Sequence, residues 1–130
     1  MEQSETYRLF DSGKIVFPEK EIDATAIPWK KHPVFRGVFL KELVSAADTD
    51  GTFNCLLIKI EKGAEVSDHT HDTQWEFNEV LDGNGVFGFG DKKSACKSGD
   101  SYVNPPGVSH SVAAPMEDLY ITAKFMPALR

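Results

Sequence analysis

The chain has 130 residues, 41% of them hydrophobic and 26% charged, with 14 basic against 20 acidic side chains and a net charge of −6. That is the size and make-up of one globular domain with a real core. It lacks the basic footprint of a nucleic-acid binder, and an anionic membrane would repel it on average.

The opening MEQSETYRLF carries glutamates and no apolar leader segment, so the chain reads as cytoplasmic. No stretch approaches the roughly 18 apolar residues of a spanning helix. The expected partners therefore include neither nucleic acid nor membrane. Residues 1–12 read as a loosely held start to a single domain covering 1–130, and Pro18, Pro28 and Pro33 interrupt the N-terminal third. KIVF, TAI and GVFLKELV read as early strands. LKELVSAAD, from Leu40 to Asp48, also fits one amphipathic helix, although Gly37-Val38-Phe39 before it favours strand.

Strand signals dominate from there on. In FNCLLIKI, Leu56, Ile58 and Ile60 share one face, and Cys55 and Leu57 share the other. WEFNEVL sets Trp75, Phe77, Glu79 and Leu81 opposite Glu76, Asn78 and Val80. GVFGFG, SYVN, SVAA and LYITAKF follow at short spacing between Gly, Pro, Asp and Asn turns, a pattern of all-β sandwich or barrel. Gly83 and Gly85 around Asn84 predict a hairpin turn with positive φ. Cys55 and Cys96 share no metal spacing and read as free thiols in a reducing compartment.

Two of the four histidines, His69 and His71, lie one residue apart, and Glu76 follows closely. On an extended strand, residues i and i+2 point the same way, so both imidazoles can converge on one ion. Glu76 has the wrong parity for that strand. A turn at Asp72-Thr73-Gln74 would return it beside the pair, giving a metal site built across a β-hairpin. Such a site needs a fourth ligand. His32, in PWKKHP, reads as surface loop, whereas His110 follows a strand and a Pro105-Pro106-Gly107 turn that aims it inward.

Residues Gly63 to Gly83 read G-x5-H-x-H-x4-E-x6-G, and Gly99 to His110 read G-x5-P-x-G-x2-H. This resembles the two motifs of the cupin superfamily, in order and with spacing kept. The resemblance implies an all-β double-stranded β-helix, or jelly-roll barrel. It also implies one divalent transition metal ion (Fe, Mn, Ni or Zn) held by His69, His71, Glu76 and His110. One departure is Ala114, where the second motif often carries an asparagine that is not a ligand.

Gln74 reads either as a hydrogen-bonding support for an imidazole or as a turn residue. Asn78 shares Glu76's face toward a pocket. Tyr102 is either a substrate-facing acid or a core tyrosine. GNGVFG satisfies G-x-G-x-x-G literally, but a strand pattern follows it and not the helix a dinucleotide site requires.

The mixed imidazole and carboxylate site suits Lewis-acid or oxygen chemistry on a small oxygen-bearing molecule, as a dioxygenase-like enzyme or an isomerase or lyase. A non-catalytic metal-dependent binding or sensor module is the alternative. Cupins of this kind commonly form homodimers through N-terminal strands, a role open here to KIVF and TAI.

Overall fold

The computed structural model describes residues 5–129. One helix, α1 (Thr6–Ser12), precedes twelve strands: β1 (Lys14–Phe17), β2 (Lys20–Asp23), β3 (Lys30–Lys31), β4 (Val38–Val44), β5 (Asn54–Ile60), β6 (Glu65–His69), β7 (Trp75–Asp82), β8 (Asn84–Phe89), β9 (Lys92–Lys97), β10 (Ser101–Asn104), β11 (His110–Ala113) and β12 (Leu119–Met126). Short 3-10 turns cover Ala24–Ala26 and Ala47–Thr49.

The strands form a six-stranded sheet in the order β10-β7-β12-β5-β4-β3 and a four-stranded sheet in the order β6-β11-β8-β9. Every pairing is antiparallel. A two-stranded ribbon, β1-β2, stands apart. This is the jelly-roll architecture, two sheets closing over one core.

Strand parity divides the apolar residues as expected. Ile58 and Ile60 join Val38, Val80, Ile121 and Phe125 in the main core, with Leu56 packed against it. Leu57, on the opposite face of β5, belongs to a second cluster with Ala24 and Leu43, against which Ile15, Ile27 and Trp29 pack. The N-terminal ribbon thus covers the outer face of the six-stranded sheet of its own chain.

Several local expectations are corrected. TAI is not a strand: a 3-10 turn covers Ala24–Ala26, capped by Asp23, whose side chain accepts from the Thr25 N–H at 2.9 Å. LKELVSAAD, by contrast, is strand through Val44, the reading that Gly37-Val38-Phe39 favoured, and a 3-10 turn covers Ala47–Thr49. The start of the chain, read as loosely held, is helical from Thr6, and residues 1–4 lie outside the described residues. The helix is tied down at three points. Tyr7 stacks on Tyr120 with centroids 3.6 Å apart, the Tyr7 N–H donates to Asp82 Oδ2 at 2.6 Å, and Asp11 pairs with Lys41.

The expected hairpins on either side of β7 are crossovers instead. β6 and β8 belong to the four-stranded sheet and β7 to the six-stranded one, so residues 70–74 and Gly83 carry the chain from sheet to sheet. Gly83 has φ +93°, and a Cβ there would lie 2.2 Å from the Asp118 carbonyl oxygen. Gly85 needs no positive φ. It is glycine because a Cβ would come within 2.6 Å of Leu119 Cδ2 and 2.7 Å of the Ala113 carbonyl oxygen.

Candidate metal centre

His69 ends β6 and stands directly opposite His110, which begins β11. Directly opposed residues on antiparallel strands hold their Cβ atoms about 5 Å apart, and the two ring centroids are 4.3 Å apart. His71 lies beyond the end of β6, in the crossover, so strand alternation does not place it. Its carbonyl accepts the Gly107 N–H at 2.9 Å, and its ring stands edge-on to Phe125 with centroids 5.2 Å apart. Glu76 enters from the other sheet, near the start of β7, between Phe125 on β12 and Asn104 on β10 in register.

The four groups meet at one point, with their candidate ligand atoms all within 4.8 Å of one another. Backbone carbonyls orient two of the rings. His69 Nδ1 lies 2.8 Å from the Ser67 carbonyl oxygen, and His110 Nδ1 lies 3.0 Å from that of Val108. A carbonyl only accepts, so each Nδ1 carries the hydrogen and each Nε2 turns a lone pair inward, the usual arrangement for a metal-binding imidazole.

Glu76 Oε1 lies 3.1 Å from His110 Nε2 and 3.4 Å from His71 Nε2. Both Glu76 Oε1 and His110 Nε2 are buried, without a hydrogen-bond partner of good geometry. Two buried lone pairs facing each other repel unless a cation lies between them, and that cation is either a proton or a metal ion. Ligand atoms about 2.0–2.2 Å from a common ion sit roughly 3–3.5 Å from their neighbours, so the observed separations fit an ion.

Electrostatics agree with this geometry. Burial opposes ionisation of Glu76, but the close approach of the His110 and His71 imidazoles, together with the Asn104 amide, outweighs it and holds the carboxyl at about 2. Burial also works against a charge on His110, yet Glu76 and the Val108 carbonyl raise its pKa. Burial lowers that of His69.

The cluster forms one end of a cavity of about 190 Å³ whose walls are mainly apolar, among them Leu40, Leu56, Ile58, Val66 and Phe125. Tyr102 lines it, but its ring stacks on Phe87 with planes 9° apart and centroids 4.6 Å apart. Burial pushes its phenol well above the ordinary range, so the hydroxyl stays protonated. Asn78 is fully buried beside the cavity without lining it. Gln74 Nε2 donates to the Ala128 carbonyl at 3.4 Å, joining the crossover to the C-terminal segment.

Sequence reasoning missed two cavity residues. His32, read as surface loop, lines the wall, and its Nδ1 accepts from the N–H groups of Val34 and Phe35 at 3.0 and 3.2 Å. Nothing local marks it, because the pairing of the two-residue β3 with β4 is what carries it there. Asn104 is 1% exposed and also lines the cavity. Its place opposite Glu76 was available only from the register of β10 on β7.

Residues 56–121 match the family model of the cupin domain. Similar solved structures include a protein described as a predicted oxalate decarboxylase from Thermotoga maritima, 26% identical with TM-score 0.73, the match covering 79% of this chain and 95% of that one. An RmlC-like cupin from Shewanella frigidimarina matches at 22% identity and TM-score 0.69, over 98% of this chain and 96% of the other. The polyketide cyclase RemF from Streptomyces resistomycificus shares the fold at 15% identity and TM-score 0.72, over 82% and 78% of the two chains. A search of curated proteins finds no match.

Proposed function

The chain belongs to the cupin family, and from that premise we propose that it is a small metalloenzyme acting on an oxygen-bearing organic molecule. One divalent transition ion is held by His69, His71, Glu76 and His110. The observation that carries this reading is the approach of Glu76 Oε1 to His110 Nε2 at 3.1 Å, two buried acceptors aimed at one point. Three imidazoles and a carboxylate suit iron, manganese, nickel or zinc. Such an ion, when bound, supplies Lewis-acid polarisation or, with a redox metal, oxygen chemistry, which corresponds to isomerase or lyase action or to dioxygenation.

The chain's own residues support that chemistry in definite ways. The carbonyls of Ser67 and Val108 fix the imidazole tautomers of His69 and His110. The apolar wall excludes water. His32 also lines the wall, outside the four ligands. Tyr102, kept protonated, offers a hydroxyl that can donate as well as accept.

A metal-dependent binding module is the second reading. It is favoured by how little acid or base the cavity offers beyond the ligands themselves.

The test is the metal content of protein purified without a chelating tag, measured beside His71→Ala. Near one equivalent of a transition metal, lost in the variant, supports the reading. No metal in either protein, and none taken up on reconstitution, overturns it. Turnover of phenolic or diketone substrates by the loaded protein separates the enzyme from the binding module.

A further inference from the structure

The cavity has two properties that together select a class of ligand. First, among the described residues no lysine or arginine lines it. A divalent ion held by three neutral imidazoles and one carboxylate leaves a single net positive charge, and the walls add none. One negative charge on a ligand is therefore matched at the metal, and a second would be buried without a counter-charge, which is strongly disfavoured. Second, the space beyond the metal is bounded by Leu40, Leu56, Ile58 and Val66. The whole cavity, the cluster's end included, holds about 190 Å³, against the roughly 150 Å³ apolar cavity that accepts benzene.

Beside the four ligands, His32, Tyr102, Asn104 and Ser111 bring polar atoms to the lining, and Asn104 is buried more deeply than Tyr102 or Ser111. Asn104 is 1% exposed and stands opposite Glu76 in register, where its amide lies beside the carboxylate with hydrogen-bonding capacity left for a ligand. A buried amide in that state is stabilised by a ligand that can satisfy it.

Resting on the metal-centre reading above, we infer that this site selects a small monoanion, or a neutral molecule that loses one proton on coordination, with one oxygen-bearing head and an apolar body. The head meets the metal and Asn104, and the body lies against Leu40, Leu56, Ile58 and Val66. Dicarboxylates and phosphate esters are rejected. This sets the chain apart from a site for oxalate, which is doubly charged at neutral pH and has no apolar body.

The test is calorimetric titration of the zinc-loaded protein, zinc being redox-inert so that binding alone is read, with zinc retention followed in the same samples. Butanoate, hexanoate and 2,4-pentanedione are compared with succinate and oxalate. Hexanoate and pentanedione are expected to bind at least tenfold tighter than either dianion, and butanoate tighter than succinate of equal chain length. Leu56→Lys, which places a cation on the wall, is expected to narrow or reverse the butanoate preference, and Asn104→Ala to weaken the monoanions several-fold. Succinate or oxalate binding as tightly as the monoanions to the wild-type protein overturns the inference while leaving the metal centre standing. So does zinc retention with no probe bound at millimolar concentration. Failure to take up zinc overturns both.

Discussion

The backbone N–H of Gly107 donates to the carbonyl oxygen of His71 at 2.9 Å. This bond joins the two sequence motifs near the four converging groups, and a second pair of bonds joins them at the far end, where the Gly63 N–H donates to the Ala114 carbonyl and the Ala114 N–H donates to that of Ala64. His71 stands outside the regular strands, so its position depends on the Pro105-Pro106-Gly107 turn as much as on its own segment.

Gly107 has φ +78° with open space around a hypothetical Cβ, so Gly107→Ala adds only backbone strain. A loss of about 1 kcal/mol is expected, seen in thermal unfolding, with a several-fold loss of metal affinity as His71 loosens. Gly83→Ala adds a clash with the Asp118 carbonyl to its strain, and should cost about 3 kcal/mol. Equal shifts in the two variants would contradict the assignment of strain alone to one and strain with clash to the other.

Glu76→Gln keeps the shape of the side chain and removes its charge. Metal affinity should fall by more than the roughly 10–100-fold associated with losing a supporting group around a metal site, measured by competition with a chromogenic chelator. An unchanged affinity would remove Glu76 from the ligand set.

The pH dependence has a defined sign. Glu76 sits at about 2, below its ordinary 4.5, so its contribution to the metal-free fold is full above about 4.5 and is lost as pH falls toward 2. His110 is raised above 6.5, so its contribution is full below 6.5 and is lost as pH rises through the raised value. The same proton on His110 competes with metal, whose affinity should fall as pH drops toward about 5. The difference in melting temperature between loaded and metal-free protein should therefore widen from pH ~5 to pH ~8. Glu76→Gln should flatten that trend, and a constant difference in the wild-type protein would contradict it.

Lys41 is 2% exposed and finds its anion in Asp11 of α1, donating to the Asp11 carbonyl at 2.8 Å as well as to its carboxylate. Asp11→Ala leaves a buried ammonium without its counter-charge. It should destabilise the fold by about 2 kcal/mol, less than for a fully buried pair because Asp11 is 30% exposed. Lys41→Met should cost less. Limited proteolysis near residues 5–13 checks whether α1 detaches in the first variant and stays in the second.

The four converging groups were legible because ligand type and spacing are local, and most strands because apolar runs are. What was not legible depends on long-range pairing. The β9 segment KKSACK has no strand pattern of its own; β8 recruits it, setting Cys96 against Gly85. The crossover of residues 70–74 looks like a hairpin in sequence because both flanks are extended, and only the assignment of β6 and β7 to different sheets reveals otherwise. The docking of α1 rests on Asp82 and Tyr120, far along the chain from Tyr7. His32 and Asn104 reach the cavity through register, which short-range periodicity does not encode.

The ligands divide between the sheets, with His69 and His110 on one and Glu76 on the other. An ion held by all four is therefore a rivet across a seam. Emptying the site would let that rim of the barrel gape while the core around Ile58, Ile60 and Ile121 stays shut. Amide deuterium exchange would record the change: fast uptake at the start of β7 and β11 without metal, slow uptake with it, and the middle of β5 indifferent to both. Metal supply would then set how often this barrel opens, and so how exposed it is to proteases, independently of whatever chemistry it performs.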